Sequence, residues 1–294
     1  MSDTIANIDI NDRWAVEPTA YREGLLEGHR ILISGGGSGM GRAAAWLTAR
    51  LGARPVICGR TEEKLAGVVD AIRARGHDAD YSVVDIRDSD SVAALFSALD
   101  RDHGRIDALI NSAGGQFPQP AMDYSGKGWN TVINTNLNGT WYMMQAAATR
   151  WRDADNGGAI VNIVVVPQGL HGVAHTRAAR SGVMDMSRAV AVEWAPHRIR
   201  VNCIAPGAIE TEGWAVYSAS AREKYPRTNP MMRAGSAWEI AESCVFLLSS
   251  AGGFVNGEVL TVDGGGQHWG EIWTTGKPEY FAAATRLWDD DTNG

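Results

Sequence analysis

Residues 29–42 read HRILISGGGSGMGR, and the order of the two halves of this stretch decides the fold. HRILIS is a short apolar run of the kind that forms a strand buried on both faces of a parallel sheet, and it runs directly into Gly35, Gly39 and Gly41. Glycines spaced G-x3-G-x-G between a strand and a helix remove side chains from a tight turn. The backbone can then approach a pyrophosphate at the helix N-terminus. Ser34, Gly35, Gly37, Ser38, Gly39, Met40 and Gly41 are therefore expected to cradle a dinucleotide.

The same alternation continues outward. ARPVICG, DADYSVVD, IDALINSAG, GAIVNIVVV, IRVNCIAPG and EVLTVDGG are short and rich in Ile, Val and Leu, while 40–51, 61–75, 88–102, 126–151, 176–196 and 236–250 carry helical spacing. Seven strands alternating with helices predict a single α/β, doubly wound (Rossmann-type) domain with a seven-stranded parallel sheet. The expected divisions are a polar lead over 1–28, a dinucleotide-binding catalytic domain over 29–266, and a tail over 267–294. That tail holds Trp269, Trp273, Tyr280, Phe281 and Trp288, too many aromatics for a solvated segment, so it is expected to dock on this subunit or a neighbour. Within the domain, 208–235 interrupts the alternation after a strand and reads as a substrate lid, or else as a surface excursion packed on the domain.

Composition narrows the classes. A chain of 294 residues with 45% hydrophobic content can bury a full core, and its formal charge of −7 argues against a nucleic-acid partner. Cys58, Cys203 and Cys244 lie in apolar runs with no CxxC, as buried thiols of a reducing compartment do. No stretch reaches the roughly 18 apolar residues of a membrane span, and the N-terminus has no signal-like apolar run, so a cytoplasmic protein with no membrane partner is expected. No cluster has metal-ligand spacing, so no metal is expected.

The end of the second strand bears on cofactor choice. An NAD site usually carries an acid there for the ribose 2′-hydroxyl, whereas VICGR places Arg60, with no acid before Glu62. Arg42 adds a second guanidinium, so NADPH is expected over NADH. Asp85 and Ile86 are placed to meet the adenine, and Asn111, Ala113 and Gly114 form a small-residue turn beside the cofactor. Pro206, Gly207, Ile209 and Thr211 fall at the nicotinamide end.

SGGGSGMG, NSAGG, NTNLNG, IRVNCIAPG and VNGEVLTVDGG, in this order from about residue 25 to 265, resemble the blocks of the short-chain dehydrogenase/reductase family. NSAGGQFPQP, KGWNTVINTNLNGTWYM and AHTRAARSGV are most similar to the peroxisomal trans-2-enoyl-CoA reductases and the 2,4-dienoyl-CoA reductases. Bacterial citronellol/citronellal dehydrogenase-like members are also similar. The resemblance implies a catalytic Asn, Ser, Tyr and Lys, of which only Asn136 is present. The Ser place falls at Val164 or Val165, the Tyr place at Thr176 and the Lys place at Arg180.

Thr176 and Arg180 are four apart on one helix face. Arg180 can grip the nicotinamide ribose and supply fixed charge, but its high pKa bars it from relaying protons. Thr176 donates a hydrogen bond without titrating, which serves an enolate oxygen better than an alkoxide that needs a proton. His175 is the alternative acid. On a regular helix it lies about 100° from Thr176, so it reaches the same cleft only if the helix begins after it.

Three readings stay open: an NADPH-dependent reductase of 2-enoyl thioesters, an alcohol or aldehyde dehydrogenase on a terpenoid-like substrate, and a cofactor-binding member without turnover. The substrate is expected to be a small molecule, with an acyl-CoA among the candidates. Trp214, Tyr217, Met231 and Met232 suggest an apolar pocket, whereas Arg222, Lys224, Arg227 and Arg233 suit either a CoA phosphate or a solvated face. The resemblance and the apolar surface imply a homo-oligomer, a tetramer by preference.

Overall fold

The structure is a computed structural model that describes residues 9–166, 171–270 and 274–281. Its core is one seven-stranded parallel sheet in the order β3-β2-β1-β4-β5-β6-β9. The strands are β1 (Arg30–Ser34), β2 (Arg54–Gly59), β3 (Asp80–Val83), β4 (Ala108–Asn111), β5 (Gly158–Ile163), β6 (Ile199–Pro206) and β9 (Val259–Val262). Strand order reverses between β1 and β4, and ligands of such sheets bind outside the carboxyl ends at that crevice.

The apolar runs are continuous because both faces of the sheet are covered. Ile31 and Ile33 of β1 face a core formed with α2 (Gly39–Arg50), α3 (Glu62–Ala74) and α9 (Ala237–Leu248), including Trp46, Val69 and Ile240. Leu32 points the other way, into a core with α4 (Ser89–Asp102) and α6 (Gly139–Asp153), including Phe96 and Met143. Cys58, Cys203 and Cys244 are all buried and free, and burial raises each thiol, to about 12, 11 and 12 respectively.

Three features depart from the simple alternation. The helix expected over 126–151 is two helices, α5 (Gly126–Ile133) and α6, joined by a π-turn over Asn134–Asn138. The stretch after residue 9 is not a loose lead. Its helix α1 (Ile10–Val16) buries Trp14, and Leu26 is buried behind it. Trp46 Nε1 donates to Asn11 Oδ1 at 2.9 Å and Trp238 Nε1 to the Pro18 carbonyl at 2.9 Å, which tie this strap across α2 and α9.

The insertion over 208–235 leaves and returns through one narrow neck, β7 (Ile209–Glu210) paired in parallel with β8 (Gly235–Ser236). Between them lie a 3-10 turn at Glu212–Val216, the short helix α8 (Ala219–Lys224) and a second turn at Tyr225–Arg227. Of the tail aromatics, Trp269 packs edge-on against Phe281 at 4.8 Å and Tyr280 against Phe281 at 5.0 Å, while Trp273 and Trp288 lie outside the described residues. Among the described residues no helix is long and apolar enough to cross a membrane.

Candidate active site

The carboxyl edge of the sheet opens onto a cavity of about 520 Å³. Met40, Gly114, Asn136, Thr176, Arg180, Pro206, Gly207, Ile209 and Thr211 line it, so these expected residues come together from five separate stretches of chain. Val164 and Val165 line it at the end of β5, with apolar surface at the serine place.

Register builds the floor of this edge. Ser34 of β1 pairs with Asn111 of β4, and Asn111 with Asn162 of β5. Their side chains repeat the ladder: Ser34 Oγ donates to Asn111 Oδ1 at 3.4 Å, Asn111 Nδ2 to Asn162 Oδ1 at 2.8 Å, and Asn162 Nδ2 to Ser187 Oγ at 2.9 Å. Asn111 and Ser34 are thus buried supports of the site and do not line the cavity. Ala113 anchors the loop above them, its N–H donating to Ser34 Oγ at 3.2 Å.

The glycine run has the geometry its spacing predicts. Gly35 sits at φ 72°, and a Cβ there would lie 2.7 Å from the Ala113 backbone nitrogen, so only glycine lets the turn pass under the neighbouring loop. Helix α2 begins at Gly39, whose N–H donates to Glu212 Oε2 at 3.1 Å, while Arg42 pairs with the other oxygen of the same carboxylate. The N-terminus of α2 therefore already holds an anion, one supplied by the start of the 208–235 insertion. Arg42 also stacks over Trp14 at 5.1 Å, which draws it toward the strap.

At the other end, Arg60 is exposed at the close of β2. Asp85 is held below the usual carboxylate range by hydrogen bonds from Arg87, with a smaller contribution from the Arg60 charge. Ile86 is buried, and a Cβ on Gly139 would meet its side chain at 2.8 Å.

At the reacting end, the π-turn swings Asn136 inward, a common use of this irregularity. Asn136 is 1% exposed and clasps Gly115 from both sides: Nδ2 donates to its carbonyl and Oδ1 accepts from its N–H, each at 2.9 Å. Nδ2 also donates to Thr176 Oγ1 at 3.1 Å. The Thr176 hydroxyl in turn reaches the Gly115 carbonyl only at 3.4 Å, a long bond that a better acceptor would displace.

Arg180 is buried. Its Nη2 donates to the Ala113 carbonyl at 3.2 Å, and among the described residues its Nη1 has no partner. Burial pushes the guanidinium down to about 10, still far enough above neutrality to keep it charged. A Cβ on Gly114 would lie 2.0 Å from Nη2, so the glycine admits the guanidinium to the cavity. A buried cation with an idle donor is costly unless a ligand completes it. The hydroxyls of a cofactor ribose would do so, and together with the glycine cradle this fits a nicotinamide dinucleotide.

The helix carrying Thr176 and Arg180, α7, spans Ala174–Glu193 and so begins before His175. His175 consequently points away from the cavity lining. It stacks on Tyr124 at 4.6 Å with 7° between the rings, meets Phe117 edge-on at 4.5 Å, and accepts the Thr176 N–H at Nδ1. Burial lowers its pKa, which favours the neutral ring.

The insertion over 208–235 contributes Trp214, Val216, Tyr217 and Tyr225 to the same cavity. Gln116 Nε2 donates to the Tyr217 hydroxyl, and Tyr217 and Tyr225 meet edge-on at 5.0 Å. Of the other lid residues, Met231 lines an adjoining cavity of about 300 Å³ and Arg233 is paired with Glu239. Sequence reasoning missed Gln116 and Glu212. Their partners lie 101 and 173 residues away in the chain, so no local pattern marks them.

The family described as enoyl-(acyl carrier protein) reductase matches residues 35–267. A probable 2,4-dienoyl-CoA reductase of Bacillus subtilis is 37% identical over 246 residues, covering 82% of this chain and 97% of that protein. Gluconate 5-dehydrogenase of Gluconobacter oxydans is 36% identical over 246 residues, covering 82% and 95%. Among solved structures, a citronellol catabolism dehydrogenase of Pseudomonas aeruginosa superposes with a TM-score of 0.75 at 38% identity, covering 84% of this chain and 98% of that one. Together with the sheet order and the glycine cradle, these matches make the chain a member of the short-chain dehydrogenase/reductase family, and an oxidoreductase.

Proposed function

We propose that this protein reduces the carbon–carbon double bond of a 2-enoyl thioester with NADPH. The observation that carries the reading is the Asn136–Thr176–Arg180 set beside Val164 and Val165: a chain of donors and a fixed charge, with no titratable side chain at the serine or tyrosine place. The dinucleotide, when bound, supplies a hydride. Arg180 would hold its ribose through the idle Nη1, and the α2 N-terminus would receive its diphosphate. Thr176, with Asn136 behind it, donates to the thioester oxygen as enolate charge gathers there. Reduction of a ketone would instead demand a proton at the alkoxide oxygen that Thr176 holds, and Asn136, Thr176 and Arg180 supply none there.

NADPH is favoured by Arg60, a guanidinium suited to a 2′-phosphate where an acid would hold a 2′-hydroxyl. The likeness to a 2,4-dienoyl-CoA reductase supports a thioester substrate. A second reading, oxidation of an apolar alcohol, draws on the likeness to the citronellol catabolism dehydrogenase and on Trp214 and Val216 in the lining. NADPH oxidation followed with matched 2-enoyl-CoA and ketone substrates separates the two. Faster turnover of the enoyl esters is expected, and ketones or aldehydes turned over at least as fast overturn the proposal.

A further inference from the structure

We propose that Tyr217, carried by the lid, is the proton donor of this site and supplies the phenol that the tyrosine place lacks. The inference rests on the conjugate-reduction reading and names the acid that reading leaves open.

A phenol oxygen both accepts and donates. Tyr217 accepts from Gln116 Nε2, and the Tyr225 ring stands edge-on to it at 5.0 Å. The bond from Gln116 takes a lone pair of the phenol oxygen and leaves its proton to be given. Tyr217 lines the cavity, so the unused O–H is available to a substrate lying in it.

One loop sets this donor beside the rest of the machinery. Gly114 makes room for Arg180, Gly115 is clasped by Asn136 next to Thr176, and Gln116 holds Tyr217. Three consecutive residues thus fix the charge, the oxyanion donor and the phenol in sequence, with at most about 7 Å of extended chain between the first and last. Thr176 and Asn136 do not titrate and Arg180 keeps its charge. Asp263 also lines the cavity, but its carboxylate accepts from the Gly265 and Gln267 N–H groups, which leaves Tyr217 and Tyr225 as the lining phenols able to part with a proton. Burial raises the Tyr217 pKa, which keeps the phenol protonated at neutral pH, while the bond from Gln116 stabilises the phenolate once the proton has left.

The step balances as follows. Hydride arrives at the β-carbon of the enoyl thioester and the π pair moves to form an enolate whose oxygen is held by Thr176. The enolate pair then forms a C–H bond at the α-carbon with the proton of Tyr217, leaving a tyrosinate held by Gln116. Water entering the cavity reprotonates it, so the net change is one hydride and one solvent proton added across the double bond. The geometry also gives the lid a purpose beyond covering substrate, since the acid is in place only when the lid residue meets Gln116.

Purified wild type, Tyr217→Phe and Gln116→Leu test this, with NADPH oxidation measured on crotonyl-CoA and on a matched ketone, and NADPH binding measured by fluorescence titration. The proposal expects kcat on crotonyl-CoA to fall by about a hundredfold or more in Tyr217→Phe, the scale of a general acid. It expects a smaller fall in Gln116→Leu and NADPH affinity within twofold of wild type in both. If wild type reduces crotonyl-CoA and Tyr217→Phe does so within threefold, the Tyr217 assignment is overturned and the thioester reading stands. If wild type prefers the ketone, the thioester reading falls and Tyr217 is judged by the same comparison on the ketone. A wild type that turns over neither overturns both, and a loss of NADPH affinity equal to the loss of kcat shows a structural role and overturns the assignment.

Discussion

Thr176 is the residue on which the chemistry turns, because it stands where the family carries a phenol and keeps only a hydroxyl. Thr176→Val preserves shape while removing the donor, and turnover on an enoyl thioester should drop by about ten- to a thousandfold, the range for one oxyanion donor. Unchanged kcat would remove Thr176 from the site. Arg60 is argued at the same scale: Arg60→Asp should weaken NADPH and spare or improve NADH, read by titrating each dinucleotide against both proteins. His175 tests the packing. Its folded-state pKa lies below the ordinary value of about 6.5, so the stability it confers is present above that pH and is lost as pH falls toward the lower folded value. Melting temperature should therefore fall between pH 7.5 and 5.5, and fall less in His175→Phe, which keeps a ring against Tyr124. His77 shifts in the same direction, so the difference between the two proteins is the quantity to read, and parallel curves would contradict the assignment.

At the scale of elements, Glu212 couples the lid to the nucleotide cradle. Its carboxylate takes the Gly39 N–H and Arg42, the groups a diphosphate would need, so cofactor and lid base compete for one anion seat. Glu212→Ala should tighten dinucleotide binding by about two- to fivefold, the worth of one charge at a helix N-terminus, and weaker binding would show that the carboxylate supports the site. The elements also show what a sequence reveals. The seven apolar runs are visible because strands buried on both faces have no polar residues to break them. The π-turn at Asn136 is invisible because a single wider turn barely disturbs the 3.6-residue pattern of 126–151. The start of α7 is hidden too, since its N-cap Val173 makes no side-chain capping bond, and that one missing signal is what left the direction of His175 open. The lid neck of two-residue strands is shorter than any periodicity can register.

At the scale of the whole molecule, the chain leaves apolar surface that one subunit does not hide. Val192 at the end of α7 is 78% exposed and Phe254 is fully exposed, while Trp141 and Trp194 stack only partly buried. A homo-oligomer, most simply a tetramer, is the expected outcome of light scattering at micromolar concentration, and a monomer would contradict it. The strap after residue 9 reads as polar in sequence, yet it is part of this whole, because a few residues such as Trp14 and Leu26 carry its burial and its oxygens accept from the distant indoles of Trp46 and Trp238. The central claim, that this site delivers hydride to the β-carbon of an enoyl thioester rather than to a carbonyl carbon, is tested most directly by the fate of a label. The protein would be given NADPH deuterated at the transferring position and a 4-oxo-2-enoyl-CoA, which offers a conjugated double bond and a ketone in one molecule. The account predicts deuterium on the former double bond with the ketone intact, and deuterium on a carbinol carbon at position 4 would contradict it.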